Sequence, residues 1–192
     1  MNDALAFLRE FVKHPTKVGA IAPSSQSLAR EIVQQARVPS AQVIVEFGSG
    51  TGVFTGEIVA QAPQGSTFIA IEINPEFAEI LRQKYPRTNV YNVSAEKLPE
   101  ILAEHNLERV DSIVCGLPWA AFGDELQDSL LGAAYDSLKP GGVFATFAYL
   151  QGLLLPAGMK FSRKISAKFS SVKKSRILWR NLPPAFVYVC QK

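Results

Sequence analysis

A chain of 192 residues that is 47% hydrophobic can bury roughly two-thirds of its unfolded surface, so a single domain is expected and a disordered chain is excluded. It has no run of about 18 uninterrupted apolar residues, and acids stand near Met1 where a secretory leader carries bases; both features predict a cytosolic protein with no spanning helix. The net charge of +3 hides an asymmetry: residues 137–192 hold ten Lys and Arg and no acid, whereas residues 1–136 hold ten bases against seventeen acids.

Ala4, Leu5, Phe7, Leu8, Phe11 and Val12 repeat at helical spacing and predict a short amphipathic helix that ends near Pro15. Ser24 or Ser25 can cap a second helix through Leu28, Ile32 and Val33 to about Ala36. The β-branched run at residues 43–47 then suits a buried central strand, followed by a glycine-rich turn and a helix over 54–60. The same alternation recurs with strands at 67–72, 90–93, 110–115 and 143–149, and helices at 75–84, 98–105 and 123–137. Five strands separated by helices imply a parallel sheet with right-handed crossovers, a doubly wound Rossmann-like α/β fold. Residues 156–169 suit a further helix. Residues 174–180 and 186–190 suit strands joined through Asn181, Leu182, Pro183 and Pro184, an antiparallel C-terminal hairpin that completes a seven-stranded sheet. Cys115 and Cys190 have no neighbouring Cys or His, so buried thiols are expected, with no disulfide and no metal.

The strongest local signal is Glu46, Phe47, Gly48, Ser49, Gly50, Thr51 and Gly52, at the end of a predicted strand and the start of a helix. The glycines allow a tight turn and a close approach of ligand to backbone. An acid ahead of them suits a cationic ligand and would repel the diphosphate that dinucleotide folds seat with a differently spaced loop. On these residues the chain resembles the class I S-adenosylmethionine (SAM)-dependent methyltransferases over nearly its whole length. The resemblance implies SAM as cofactor, bound by residues 46–52. It also implies that Glu72, with Ile73 beside it, holds the ribose hydroxyls. Ser94, Ala95 and Glu96 would lie at the adenine, although Ser94 departs from the family's usual Asp. Gly116 and Leu117 complete the cofactor wall, and Lys139, Pro140, Gly141 and Gly142 resemble the turn before the fifth strand.

The stretch around Ile21, Pro23, Ser24 and Ser25, the run from Cys115 to Trp119 and the late Asn181, Leu182, Pro183 and Pro184 look like the bacterial phospholipid N-methyltransferases. That resemblance implies methylation of phosphatidylethanolamine and its methylated derivatives by a peripheral protein on the inner face of the membrane. Residues 1–36 would form helices that cover the pocket and touch lipid, and residues 37–192 the methyltransferase domain. The apolar face of the first helix suits lipid and core packing equally. Lys160, Arg163, Lys164 and Lys168 would face the anionic surface, unless they only solvate a helix.

A nucleic acid is the other anionic partner, and the rRNA adenine dimethylases share this layout. In those enzymes an Asn after the fourth strand holds the target amine; Gly116 stands there in this chain. A small-molecule methyltransferase and a non-catalytic SAM-fold binding module complete the alternatives. Methyl transfer to an amine needs alignment and an unprotonated nucleophile. Tyr149 and His14 are the candidate proton acceptors, and Trp119 could hold a methylated ammonium through cation–π attraction.

Overall fold

Runs of Val, Ile and Phe become the strands of one sheet. The computed structural model describes residues 25–192. In chain order it contains α1 (Gln26–Gln35), β1 (Val43–Phe47), α2 (Val53–Gln61), β2 (Thr67–Ile71), α3 (Pro75–Lys84), β3 (Asn89–Tyr91) and α4 (Leu98–Glu104). There follow β4 (Val110–Cys115), α5 (Asp124–Ser137), β5 (Leu138–Tyr149), α6 (Pro156–Lys168), β6 (Ser171–Lys174) and β7 (Ala185–Gln191). The seven strands lie in the order β3-β2-β1-β4-β5-β7-β6. β1 to β5 are parallel, whereas β7 runs antiparallel to both β5 and β6. This is the expected doubly wound sheet with its C-terminal hairpin. Strand order reverses between β1 and β4, which opens a crevice at the carboxyl ends of these strands.

Alternation along the strands divides the core into two layers. Val45 and Phe47 of β1 face the layer that includes Leu98, Ile101, Leu130, Phe161 and Ile165 from α4, α5 and α6. Ile44 faces the opposite layer, with Leu28, Ile32, Phe54 and Ile58 from α1 and α2. Ser25 caps α1 by accepting the Leu28 N–H at 3.2 Å. Leu28, Ala29, Ile32 and Val33 are fully buried, and the larger of these side chains stabilise the layer by roughly 1.5–3 kcal/mol each. At the foot of the sheet, Asp111 Oδ2 accepts the N–H groups of Gln42 and Val43 at 2.9 and 2.7 Å, and its other oxygen pairs with Lys139.

Two segments differ from the pattern predicted from sequence. Lys139, Pro140, Gly141 and Gly142 form no turn ahead of β5 but an irregularity inside it. Leu138 already pairs with Val110, and register resumes at Val143 opposite Ser112. The Gly141 N–H donates to the Lys192 carbonyl and the Lys192 N–H to Gly142, so the last residue holds the bulge in the ladder. The hairpin strand expected at 174–180 is instead Ser171–Lys174. It ends there because the Ser175 hydroxyl accepts the Val187 N–H at 2.9 Å, displacing a ladder carbonyl. The chain rejoins β7 only at a single bridge between Leu178 and Ala185.

Candidate active site

The tips of β1, β2 and β4 are joined by backbone contacts that only glycine permits. Gly48 donates to the Ile71 carbonyl at 2.9 Å and Gly116 to the Phe47 carbonyl at 2.8 Å. Gly48 has φ +70°, and a Cβ there would lie 2.6 Å from a Leu117 methyl. A Cβ on Gly116 would lie 2.7 Å from the Gly48 carbonyl oxygen. No side chain, Asn included, fits at 116 without moving the glycine loop.

Glu72 ties that loop to the second strand. Its Oε2 accepts the Gly50 N–H at 2.7 Å and its Oε1 accepts the Asn74 N–H at 2.8 Å. The side chain is 3% exposed. Burial pushes its carboxyl above the ordinary range, and the backbone donors of Asn74, Gly50 and Ile73 pull it back. Each oxygen retains a lone pair, which suits a carboxylate that receives two vicinal hydroxyls. Asn74, the cap of α3, was not foreseen as part of this arrangement; its signal was the Asn-Pro pair that opens a helix.

Glu46 lies beneath the glycine loop and lines no open surface. It is fully buried, and Oε2 accepts the Thr55 hydroxyl at 2.7 Å. Its Oε1 and the Ser49 hydroxyl have no partner among the described residues. Burial pushes the Glu46 carboxyl up to about 7, against the hydrogen bond from Thr55 and with a further upward push from Glu72. Two orphaned buried polar atoms at the root of a glycine loop call for a ligand, and one that is a carboxylate favours a cationic donor. These residues therefore fit the positively charged amino acid portion of SAM. Thr55, in the first turn of α2, is a second position of this arrangement that sequence alone did not single out.

At the adenine side, Ser94 caps the short turn of Ala95–Lys97 and donates to Glu96 Oε2 at 2.9 Å, while Glu96 also takes the Ser129 hydroxyl. The side chains of Ser94 and Glu96 are thus engaged with the protein. Ala95 is buried and Ile73 partly buried.

On the acceptor side, the structure corrects the role expected of Trp119. Its ring is 4% exposed, stacks on Phe161 at 4.8 Å and meets Phe122 and Phe144 edge-on. Its indole N–H donates to Thr146 Oγ1 at 2.9 Å. An aromatic face occupied by the core has none left for a substrate ammonium. Gln127 secures the same loop by donating to the carbonyls of Trp119 and Phe122 at 2.7 and 3.1 Å.

Tyr149 ends β5, half-buried, and its hydroxyl has no partner among the described residues. Burial pushes the phenol up to about 12, so at neutral pH it is a hydrogen-bonding group and not a base. The C-terminal cations are also less free than their count suggests. Lys164 lies between Asp124 at 3.1 Å and Asp128 at 2.7 Å, and Lys160 pairs with Asp124. Lys168 sits over the Tyr135 ring, whereas Arg163 is exposed. Ser25 is committed to capping α1. His14, Ile21, Pro23 and Ser24 lie outside the described residues. Cys115 and Cys190 are free and buried, each thiol pushed up to about 12 by burial.

A glycine loop at a topological switch point, a carboxylate bridging the first two strand tips and an orphaned carboxylate beneath define a SAM-dependent methyltransferase with a Rossmann-like sheet. Comparison with known proteins agrees: residues 45–144 match the methyltransferase domain family. The whole chain is 31% identical to the ornithine lipid N-methyltransferase of Singulisphaera acidiphila, spanning 97% of that protein. The chain belongs to this methyltransferase family, and its cofactor is SAM. Ribosomal RNA small subunit methyltransferase A of Thermotoga petrophila is 32% identical over 88 residues, 44% of this chain and 33% of that protein. An O-methyltransferase of Bacillus cereus, solved with S-adenosylhomocysteine, superposes with a TM-score of 0.71 at 15% identity, covering 97% of this chain and 91% of that one. That likeness shows the fold.

Proposed function

We propose that this protein N-methylates the amine of a membrane lipid head group, with phosphatidylethanolamine and its methylated derivatives as substrates, at the inner face of a membrane. The observation that carries this reading is the identity to a lipid N-methyltransferase along the entire chain. That relative's name specifies ornithine lipid. Both lipids present an amine on a short tether from an anionic group, so ornithine lipid is the second substrate to test. None of the described helices is long and apolar enough to cross a membrane, which is compatible with a protein that works from the surface.

Glu72, Gly50 and Ser49 would hold SAM, with Glu46 Oε1 turned to its positive charge. Bound there, SAM supplies a methyl already activated by its sulfonium. The chain's own contribution is alignment and exclusion of water. Tyr149 Oη, lacking a partner among the described residues, can accept a hydrogen bond from the incoming amine and orient its lone pair. The backbone around Gly116 offers carbonyls for the same purpose, and Gln127 and Trp119 keep that loop in place.

Gly116 separates this reading from rRNA adenine methylation, because the Asn which holds a target base in those enzymes has no room here. The test is incubation of the protein and labelled SAM with phosphatidylethanolamine vesicles, ornithine lipid vesicles and rRNA in separate reactions. Label is expected in the lipid amine. Label confined to rRNA would overturn the proposal.

A further inference from the structure

Of the eight large apolar side chains exposed among the described residues, six fall in two segments: Leu154, Leu155 and Met159 where the chain passes from β5 into the first turn of α6, and Ile177, Trp179 and Leu182 in the loop before β7. Leu154, Leu182 and Trp179 are 83%, 76% and 66% exposed. Core formation does not account for side chains left this bare, and a cluster of them marks an interaction surface.

The two segments stand together. Tyr149 of β5 pairs with Ala185 of β7, and the Leu150 N–H donates to the Pro184 carbonyl at 2.8 Å. Residues 150–159 leave β5 and residues 177–182 lead into β7 at the same end of the sheet. This is the carboxyl end of the parallel strands, the end that carries the glycine loop and Tyr149. The apolar rim therefore borders the cofactor crevice.

Charge indicates the partner. Arg180 is exposed in the second of these segments, Arg163 on α6 and Lys173 and Lys174 on the adjoining edge strand β6 are exposed as well, and no acid follows Asp136 in the sequence. Bare leucines, one tryptophan and surrounding cations match the layered chemistry of an anionic bilayer. Aliphatic groups enter the acyl boundary, an indole sits at head-group depth, and Lys or Arg meets phosphate. An RNA partner would use stacked aromatic rings, and most of the rim is aliphatic.

We infer that residues 150–159 and 177–182 form a docking rim that inserts Leu154, Leu155, Trp179 and Leu182 into the interfacial layer of an anionic membrane. The assignment rests on the lipid reading above and adds its geometry: the crevice opens directly onto the head groups. A substrate amine then reaches Tyr149 while its acyl chains stay in the bilayer.

Trp179 supplies the readout, because Trp119 is already buried. Full-length protein is titrated with vesicles of mixed phosphatidylglycerol and phosphatidylcholine, and tryptophan emission is followed. A blue shift is expected that Trp179→Phe abolishes. The double variant Leu154→Asp, Leu182→Asp should bind these vesicles at least about tenfold more weakly. It should keep its SAM affinity and its turnover on a short-chain lipid dispersed below its micelle concentration. Emission that vesicles leave unchanged would overturn the docking rim, whether residues of this chain or RNA cover the patch instead. So would vesicle affinity undiminished in the double variant. Docking through the rim with no methylation of any lipid would overturn the substrate reading and leave the rim standing.

Discussion

The two tryptophans mark regions built on opposite rules. Trp119 follows a buried strand and is enclosed, its ring stacked on Phe161 and its N–H satisfied by Thr146. Trp179 lies in a basic loop and leaves 66% of its surface bare. Around the first, every element serves to hold the cofactor loop and the β4 tip still. Around the second, apolar surface stays open for a partner. Residue type alone did not distinguish them; what packs against each ring did.

The largest effect that tests this contrast is on stability. Trp119→Ala should cost about 3–5 kcal/mol in urea unfolding, whereas Trp179→Ala should stay within about 0.5 kcal/mol. Similar losses from both would erase the distinction. Next comes the cofactor loop: Glu72→Ala should weaken SAM binding by about tenfold or more in calorimetry, since it removes the acceptor for two backbone donors and the one proposed for both ribose hydroxyls. Unchanged affinity would remove that assignment.

A smaller effect follows from Glu46. With its carboxyl near 7 in the fold against 4.5 as a free group, the folded protein keeps a proton that the unfolded chain has lost. Cofactor-free protein should therefore lose stability as pH rises from about 4.5 through 7. SAM affinity should move the other way, because a cation favours the ionised carboxylate, and should rise by up to about tenfold per pH unit below 7. Glu46→Gln should flatten both profiles, and a slope that survives the substitution would place the titrating group elsewhere.

The smallest belongs to Asp111, remote from both regions. Partial burial opposes ionisation there, but Lys139 and the N–H groups of Val43 and Gln42 outweigh it and hold the carboxyl below its ordinary value. Its contribution is present above about pH 4 and is withdrawn as pH falls through the depressed value. In Asp111→Asn the acid limb of the stability curve should be shallower; an identical limb would show that another group sets it.

The glycine loop and the carboxylate that ties it down were legible because they are nearly consecutive in sequence: residues 46–52 supply the loop, and Glu72 directly follows the next strand. The sheet order followed from alternation of strands and helices. What remained hidden depends on groups far apart in the chain. Phe161 and Thr146 enclose Trp119 across 42 and 27 positions. Asp124 and Asp128 capture lysines on α6 that read as a free basic face. Ser175 ends β6 through a single hydroxyl that no strand propensity registers. Leu154 and Leu155, by composition core residues, proved to be surface only once β5 and the hairpin fixed where their loop emerges.

The double grip of Glu72 on Gly50 and Asn74 bears on how fast the enzyme can load. A loop already locked in its receiving shape surrenders little conformational freedom when a ligand arrives. Capture then resembles a key entering a cut lock, and association should run at a rate set by diffusion and access to the crevice, with no slow rearrangement of the glycine loop in the progress curve.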